Sequence, residues 1–277
     1  MKTILTLLVT LIILCGSSRA AEPAKPLEPT NAAEAAAKKA AKDAAIDAQY
    51  QALVATLPAD QQAWERTLHE NLGNGFYLPI HKRSRVKGQS TCWDFVQDDP
   101  KLPRALLIGD SVSGGYTLFA RKALAGKANL HKAPENCGPT SNGLKKLDVW
   151  LGDVKWDVIH FNFGIHDRAT PLADYAQRLE QIIARLEKTG AKLIWASTTP
   201  IPTDEAKKQT AESIVERNAV AARLMQQHGI AVDDLFTFIT PHLATAQNPN
   251  DVHFTGPGYQ LLGQQVAASI EAALKKN

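Results

Sequence analysis

The chain has 277 residues, of which 44% are hydrophobic, 6% aromatic and 21% charged. That is enough for one sizeable core and short for two full domains. The formal charge is +3, and removal of a leader carrying Lys2 and Arg19 lowers it to +1, which gives no support for binding nucleic acid or anionic membranes.

The N-terminus reads as an export signal over residues 1–20. Met1-Lys2 opens it with positive charge, and Ile4 to Leu14 is apolar but too short to span a bilayer comfortably. Ser18-Arg19-Ala20 places small residues where a signal peptidase cleaves, which predicts cleavage after Ala20. Cys15 also follows the apolar run, but Leu14 stands where a lipobox has a small residue. Nothing later in the sequence is apolar enough to cross a membrane, so the mature protein is expected in the periplasm or outside the cell, without stable membrane insertion. In such a compartment Cys92 and Cys137 are expected to pair as a disulfide, the alternative being two separate buried thiols. No Cys/His spacing suggests a metal site.

Residues 21–48 are rich in Ala, Pro and Lys and read as a tether, extended at first and then helix-competent. Residues 49–103 read as an N-terminal helical extension. Pro58-Ala59-Asp60 opens a helix whose apolar face carries Trp64, Leu68 and Leu72, and Gly73 and Gly75 stop it. From Asn74 to Pro103 the pattern is irregular, with Trp93 and Phe95 as packing anchors. His81, among Lys82, Arg83 and Arg85, reads as part of a solvated basic face.

From Arg104 to the C-terminus the pattern is that of an α/β domain. Apolar runs at 105–108, 156–163, 191–196 and 230–232 read as buried strands. Helical segments at 172–188, 203–228 and 259–274 alternate with them. This alternation predicts a parallel sheet covered on both faces, with ligands at the carboxyl ends of the strands. His160 and Trp150 read as core residues. The polar residues Asp110-Ser111, His166-Asp167, Thr198-Thr199 and His253 all fall at strand ends or in the last loop.

Ser111 directly follows a strand and opens a helix. The turn holds the hydroxyl at the sheet edge and aims backbone N–H groups at a developing oxyanion. A serine there also suits a plain helix N-cap, and the hydroxyl needs a neighbouring base to act as a nucleophile. His253 lies in a loop before the final helix, with Asp251 two residues earlier, an arrangement for an oriented base or for a surface histidine beside a capping residue.

Taken together, these segments resemble the SGNH/GDSL hydrolase family. Gly109-Asp110-Ser111-Val112-Ser113 resembles the nucleophile block, and Asn136-Cys137-Gly138 the second block. Phe163-Gly164-Ile165-His166-Asp167 falls where Gly-x-Asn-Asp belongs, and Asp251-Val252-His253-Phe254-Thr255 resembles the last block. The resemblance implies a flavodoxin-like three-layer α/β/α sandwich with a parallel sheet. It also implies hydrolysis of carboxylic esters without metal or organic cofactor. Ser111 would be the nucleophile and His253 its base, with Ser111, Gly138 and His166 forming the oxyanion hole. Two positions depart from the pattern. His166 replaces the usual oxyanion asparagine, while Asn162 reads as structural. Asn250 stands where the catalytic acid usually does, which leaves Asp251, Asn250 or a Ser-His dyad. The substrate expected by analogy is a small-molecule or polysaccharide ester, with carbohydrate O-acetyl groups foremost. A lipase or thioesterase, or a non-catalytic envelope or glycan-binding protein on this fold, are the alternatives.

Overall fold

A computed structural model describes residues 31–204 and 209–275. The expected signal peptide, with Cys15, and the start of the expected tether lie outside the described residues. The chain divides into two compact units, Met1–Lys42 and Asp43–Asn277. The described part of the first is an exposed stretch of helix α1 (Asn31–Ala55). Alanine with Lys and Glu favours helix even without a surface to bury, and α1 runs unbroken past residue 48.

In the second unit, α2 (Ala59–Asn71) is followed by a π-helical turn over Gly73–Tyr77 and by α3 (Leu78–Val86). The segment expected to be irregular from Asn74 is therefore helical as far as Val86. Gly73 (φ 71°) turns the chain in the left-handed region. Pro79 then sits in the first turn of α3, where no amide donor is required. Leu68, Leu72, Leu78, Cys92 and Trp93 form a small core with Trp64 and Tyr77 against it.

Beside this core, the buried Glu65 carboxylate accepts the Tyr50 hydroxyl at 2.6 Å and the His81 Nε2–H at 2.8 Å, and pairs with Arg85 Nε at 3.2 Å. Burial pushes the Glu65 pKa up, but these hydrogen bonds and charges outweigh it and hold the carboxyl below its usual value. His81 is thus fully buried in an ionic cluster, not on a solvated face. Its neighbour Lys82 is also buried and reaches Asp47 at 2.9 Å.

The remainder runs β1 (Arg104–Ile108), α4 (Ser111–Ala123), β2 (Asn129–Lys132), α5 (Thr140–Leu151), β3 (Val158–Phe161), α6 (Leu172–Glu187), β4 (Lys192–Ala196), α7 (Glu212–His228), β5 (Ala231–Asp233), α8 (Leu235–Ile239), α9 (Leu243–Ala246) and α10 (Gly256–Lys275). The strands are all parallel, in the order β2-β1-β3-β4-β5. This is the flavodoxin-like doubly wound order. Successive residues of β1 face opposite layers: Ala105 and Leu107 pack with α4 and α10, and Leu106 and Ile108 with α5, α6 and α7. Continuous apolar strands are what a sheet covered on both faces requires.

Strand β2 has no counterpart in the hydrophobic pattern, because Leu130 is its only aliphatic residue. As an edge strand it pairs only with β1. Helix α7 begins at Glu212, later than its periodicity suggests, because an antiparallel bridge between Asp204 and Gln209 occupies the preceding segment. The expected disulfide is absent. Cys92 and Cys137 are free thiols packed in different apolar clusters, and burial pushes both pKa values up to about 11, so both remain neutral.

Candidate active site

The site lies at the carboxyl edge of the sheet, where β1 and β3 are neighbours and the chain direction of winding reverses. Asp110 caps α4, its carboxylate accepting the Val112 N–H at 3.0 Å. Ser113 donates to the Asp110 carbonyl at 2.7 Å and is buried, a helix-start residue as its position suggests. These two bonds fix the turn and leave the Ser111 hydroxyl at the first position of α4.

The last loop brings the base to it. His253 Nε2 is 2.8 Å from Ser111 Oγ, and His253 Nδ1 is 2.8 Å from Asp251 Oδ1. With Nδ1–H donating to Asp251, Nε2 is free to accept the Ser111 proton. The Asp251 carboxylate also accepts the His253 backbone N–H at 3.2 Å, which ties the acid to the loop. Burial, the largest single influence, raises the Asp251 pKa, but the hydrogen bonds from His253, its charge and the Val252 N–H together outweigh it, so the carboxyl sits below its usual value. Asn250 is exposed, at φ 55°, and makes no contact with the ring among the described hydrogen bonds. Of the residues weighed as partner of His253, the structure brings Asp251 to it.

The loop is held by close packing. A Cβ on Gly258, in the first turn of α10, would lie 2.1 Å from the Ala246 carbonyl oxygen. Only glycine lets α10 approach α9 this closely. A Cβ on Gly164, after β3, would similarly lie 1.9 Å from Thr198 Oγ1.

Among the described residues nothing claims the backbone N–H groups of Ser111 and Gly138, and Gly138 (φ 63°) turns the block it belongs to. Asn162 donates to the Ala196 carbonyl at 2.8 Å and to Thr198 Oγ1 at 3.0 Å, a structural use of its amide. His166 stands in a 3-10 turn, Ile165–Asp167, exposed and without a hydrogen-bond partner among the described residues. Asp167 is fully buried and accepts the Thr140 N–H at 2.7 Å and the Thr140 hydroxyl at 2.8 Å, bracing the turn against the start of α5. Thr198 and Thr199 are buried beneath the edge and do not face an open cleft. His160 is a core residue, its Nε2 3.0 Å from Asp233. Trp150 is buried too, donating to Glu135 at 2.9 Å.

Two neighbours of the site have no signal in the sequence pattern. Lys132, on the unforeseen β2, is buried and donates to the Gly109 carbonyl at 2.8 Å, just before the nucleophile turn. Tyr77, from the π-helical turn, accepts the Asn136 side-chain amide, one residue before the Cys137-Gly138 turn. Among the described residues no cluster of three or more His, Cys, Asp or Glu side chains is arranged to hold a metal, and no helix is long and apolar enough to cross a membrane.

A hydroxyl, an imidazole and a carboxylate in hydrogen-bonded series on a doubly wound sheet make this a protein of the serine hydrolase class. The comparisons agree. The sequence model of the GDSL-like lipase/acylhydrolase family matches residues 107–261, more than half of the chain. The chain belongs to that family and is an SGNH-type serine hydrolase acting on ester bonds. No curated protein matches it. Among solved structures it is similar to a lipase/acylhydrolase from Enterococcus faecalis, with 22% identity, 61% of this chain and 96% of that one covered, and a TM-score of 0.56. It is also similar to the acetyl xylan esterase AlAXEase (13%, 60% and 99% covered, TM-score 0.52). A third is Axe2, an acetylxylan esterase from Geobacillus stearothermophilus (13%, 61% and 94% covered, TM-score 0.52). At these identities the likeness is one of fold.

Proposed function

We propose that the chain is an exported carbohydrate O-acetylesterase in which Ser111 is the nucleophile, His253 its base and Asp251 the residue that orients and charges-balances the ring. The observation that carries this is the unbroken series of two 2.8 Å contacts from Ser111 through His253 to Asp251. Ser111 attacks the ester carbonyl as His253 takes its proton. The oxyanion is held by the N–H groups of Ser111 and Gly138, with a ring N–H of His166 as the side-chain donor. The tetrahedral intermediate collapses as His253 returns the proton to the departing alcohol. Water, activated by the same histidine, then releases the acid from the acyl-enzyme.

The substrate class is supported by the openness of the site. The side chains of His253 and Asp251 are 40% and 47% exposed. An exposed base suits a small acyl group presented on a bulky alcohol, such as a sugar chain approaching from solvent. The similarity of fold to two acetyl xylan esterases agrees with this. Export rests on the N-terminal sequence alone, and mass analysis of the N-terminus after expression and cell fractionation checks it.

The test is hydrolysis of acetylated xylan and of p-nitrophenyl esters of increasing chain length. Acetate release from the polysaccharide, with activity falling as the acyl chain lengthens, is expected. A preference for long acyl chains would contradict the substrate and favour a lipase.

A further inference from the structure

The two turns assigned the oxyanion N–H groups meet at one atom, the Gly109 carbonyl oxygen. Gly109 lies two residues before Ser111, and its carbonyl accepts the N–H of Cys137, one residue before Gly138, at 3.3 Å. The same oxygen accepts Lys132 Nζ–H at 2.8 Å. Lys132 is the last residue of β2 and stands in register with Leu107 of β1, so its side chain has only to follow the end of β1 to reach Gly109. Lys132 Nζ also lies 3.5 Å from the Glu135 carbonyl and 4.0 Å from Cys137 Sγ, both in the segment that leads to Gly138.

Lys132 is 2% exposed, and among the described residues no carboxylate pairs with it. The acids nearby in the chain are engaged elsewhere. The Glu135 carboxylate accepts the Asn142 amide and the Trp150 indole, and the Asp110 carboxylate accepts the Val112 N–H. The lysine thus faces dipoles and a thiol only. Burying a charge without a counter-ion is unfavourable. The arrangement becomes favourable when an anion forms close by, as it does at an oxyanion hole. The influence of the charge reaches both flanking thiols: burial raises the pKa of Cys92 and Cys137, and Lys132 is the leading opposing influence on each.

We propose that Lys132 is a positioning residue for ester hydrolysis. Through the Gly109 carbonyl and the Glu135–Cys137 backbone it fixes the Ser111 turn to the Gly138 turn, and its ammonium places positive charge beside both. The proposal rests on Ser111 being the nucleophile. Lys132 touches neither substrate nor Ser111 and transfers no proton. Before the reaction its charge has no anion to act on. As the Ser111 proton passes to His253 and charge gathers on the former carbonyl oxygen, the ammonium gains one. An interaction that strengthens only in the transition state shows in kcat and not in KM.

The experiment is Lys132→Met in the full chain, assayed with p-nitrophenyl acetate beside wild type and Ser111→Ala. Methionine keeps an unbranched apolar stem, and the Gly109 carbonyl retains the Cys137 N–H. Replacing an unpaired buried charge by an apolar chain should leave the melting temperature unchanged or raise it. A fall in kcat on the order of tenfold to a hundredfold with KM unchanged is expected, smaller than the loss of a direct oxyanion donor. A wild-type kcat, or a change in KM alone, overturns the proposal. Should Lys132→Met lower the melting temperature, Lys132→Ala is assayed with ethylammonium chloride, with ethanol as the neutral control and each effect set against that on wild type. A cavity of about 370 Å³ lined by Lys132, Arg104, His131, Trp150 and Trp156 gives the amine a path to the vacated position. Recovery of kcat with ethylammonium and not with ethanol is expected, and a response to both or to neither overturns the proposal. The underlying reading fails separately: wild type would turn over the ester no faster than Ser111→Ala.

Discussion

At the residue scale, the site separates groups that act from groups that hold. Asp251 contacts the imidazole and Asn250 does not. Asp251→Asn should lower kcat by up to about ten-thousandfold, because an amide neither fixes the tautomer nor balances the imidazolium charge. Asn250→Gly should leave kcat at the wild-type level, since glycine accepts φ 55° more easily than asparagine. Steady-state kinetics on one acetyl ester checks both. The depressed Asp251 pKa has a pH consequence. The carboxyl is ionised above its lowered folded value, so its support of the ring is present above the ordinary carboxylate range and is lost only as pH falls through that lowered value. His166→Ala should cost about a hundredfold in kcat if its ring donates to the oxyanion. A variant with full activity would leave the donor role to backbone N–H groups.

At the element scale, glycines and buried ions set the geometry. Gly258→Ala should push α10 away from the Ala246 carbonyl and displace the loop carrying His253. A cost of about 1–3 kcal/mol in stability is expected, with kcat reduced along with it; urea unfolding and kinetics together measure this. In the extension, Glu65→Ala removes the anion from a buried cluster of Tyr50, His81 and Arg85. It should destabilise the protein by about 3–5 kcal/mol. The sign with pH is fixed by the lowered Glu65 pKa: its contribution is present above the ordinary carboxylate value and is lost as pH falls through the folded value. The melting temperature of Glu65→Gln should accordingly depend less on acid pH than that of wild type. Strands β1, β3 and β4 are legible in the sequence because each is a largely buried apolar run; β5 shows as a short apolar run too, but as an edge strand it leaves Ala231 and Val232 exposed, against the expectation that it is buried. Strand β2 is not legible, since Asn129, His131 and Lys132 find their partners in the tertiary fold: Asn129 holds Asp99, His131 meets Asp98, and Lys132 reaches Gly109.

At the scale of the whole molecule, the sheet and its edge follow from local pattern, whereas the contribution of the extension does not. Ser111, Gly138 and His253 sit in blocks that announce themselves. Tyr77 lies in Asn74-Gly75-Phe76-Tyr77, which has no period and two glycine stops on its N-terminal side. Only the tertiary fold brings it edge-on to Trp93 and sets Asn136 against its hydroxyl. The same holds for the cysteines. Even count and an oxidising compartment suggest pairing, but each thiol fills a separate apolar cluster. The extension is held to the rest of its unit through Trp93, whose indole donates to the Ala133 carbonyl and whose own carbonyl accepts the Trp64 indole.

The central claim is that Ser111 is an activated nucleophile. Labelling of the purified protein with a fluorophosphonate, read by intact mass beside Ser111→Ala, tests it most directly. One adduct on wild type and none on the variant is the predicted result. A well-folded wild type that takes up no label, or a Ser111→Ala variant that labels equally, would contradict it.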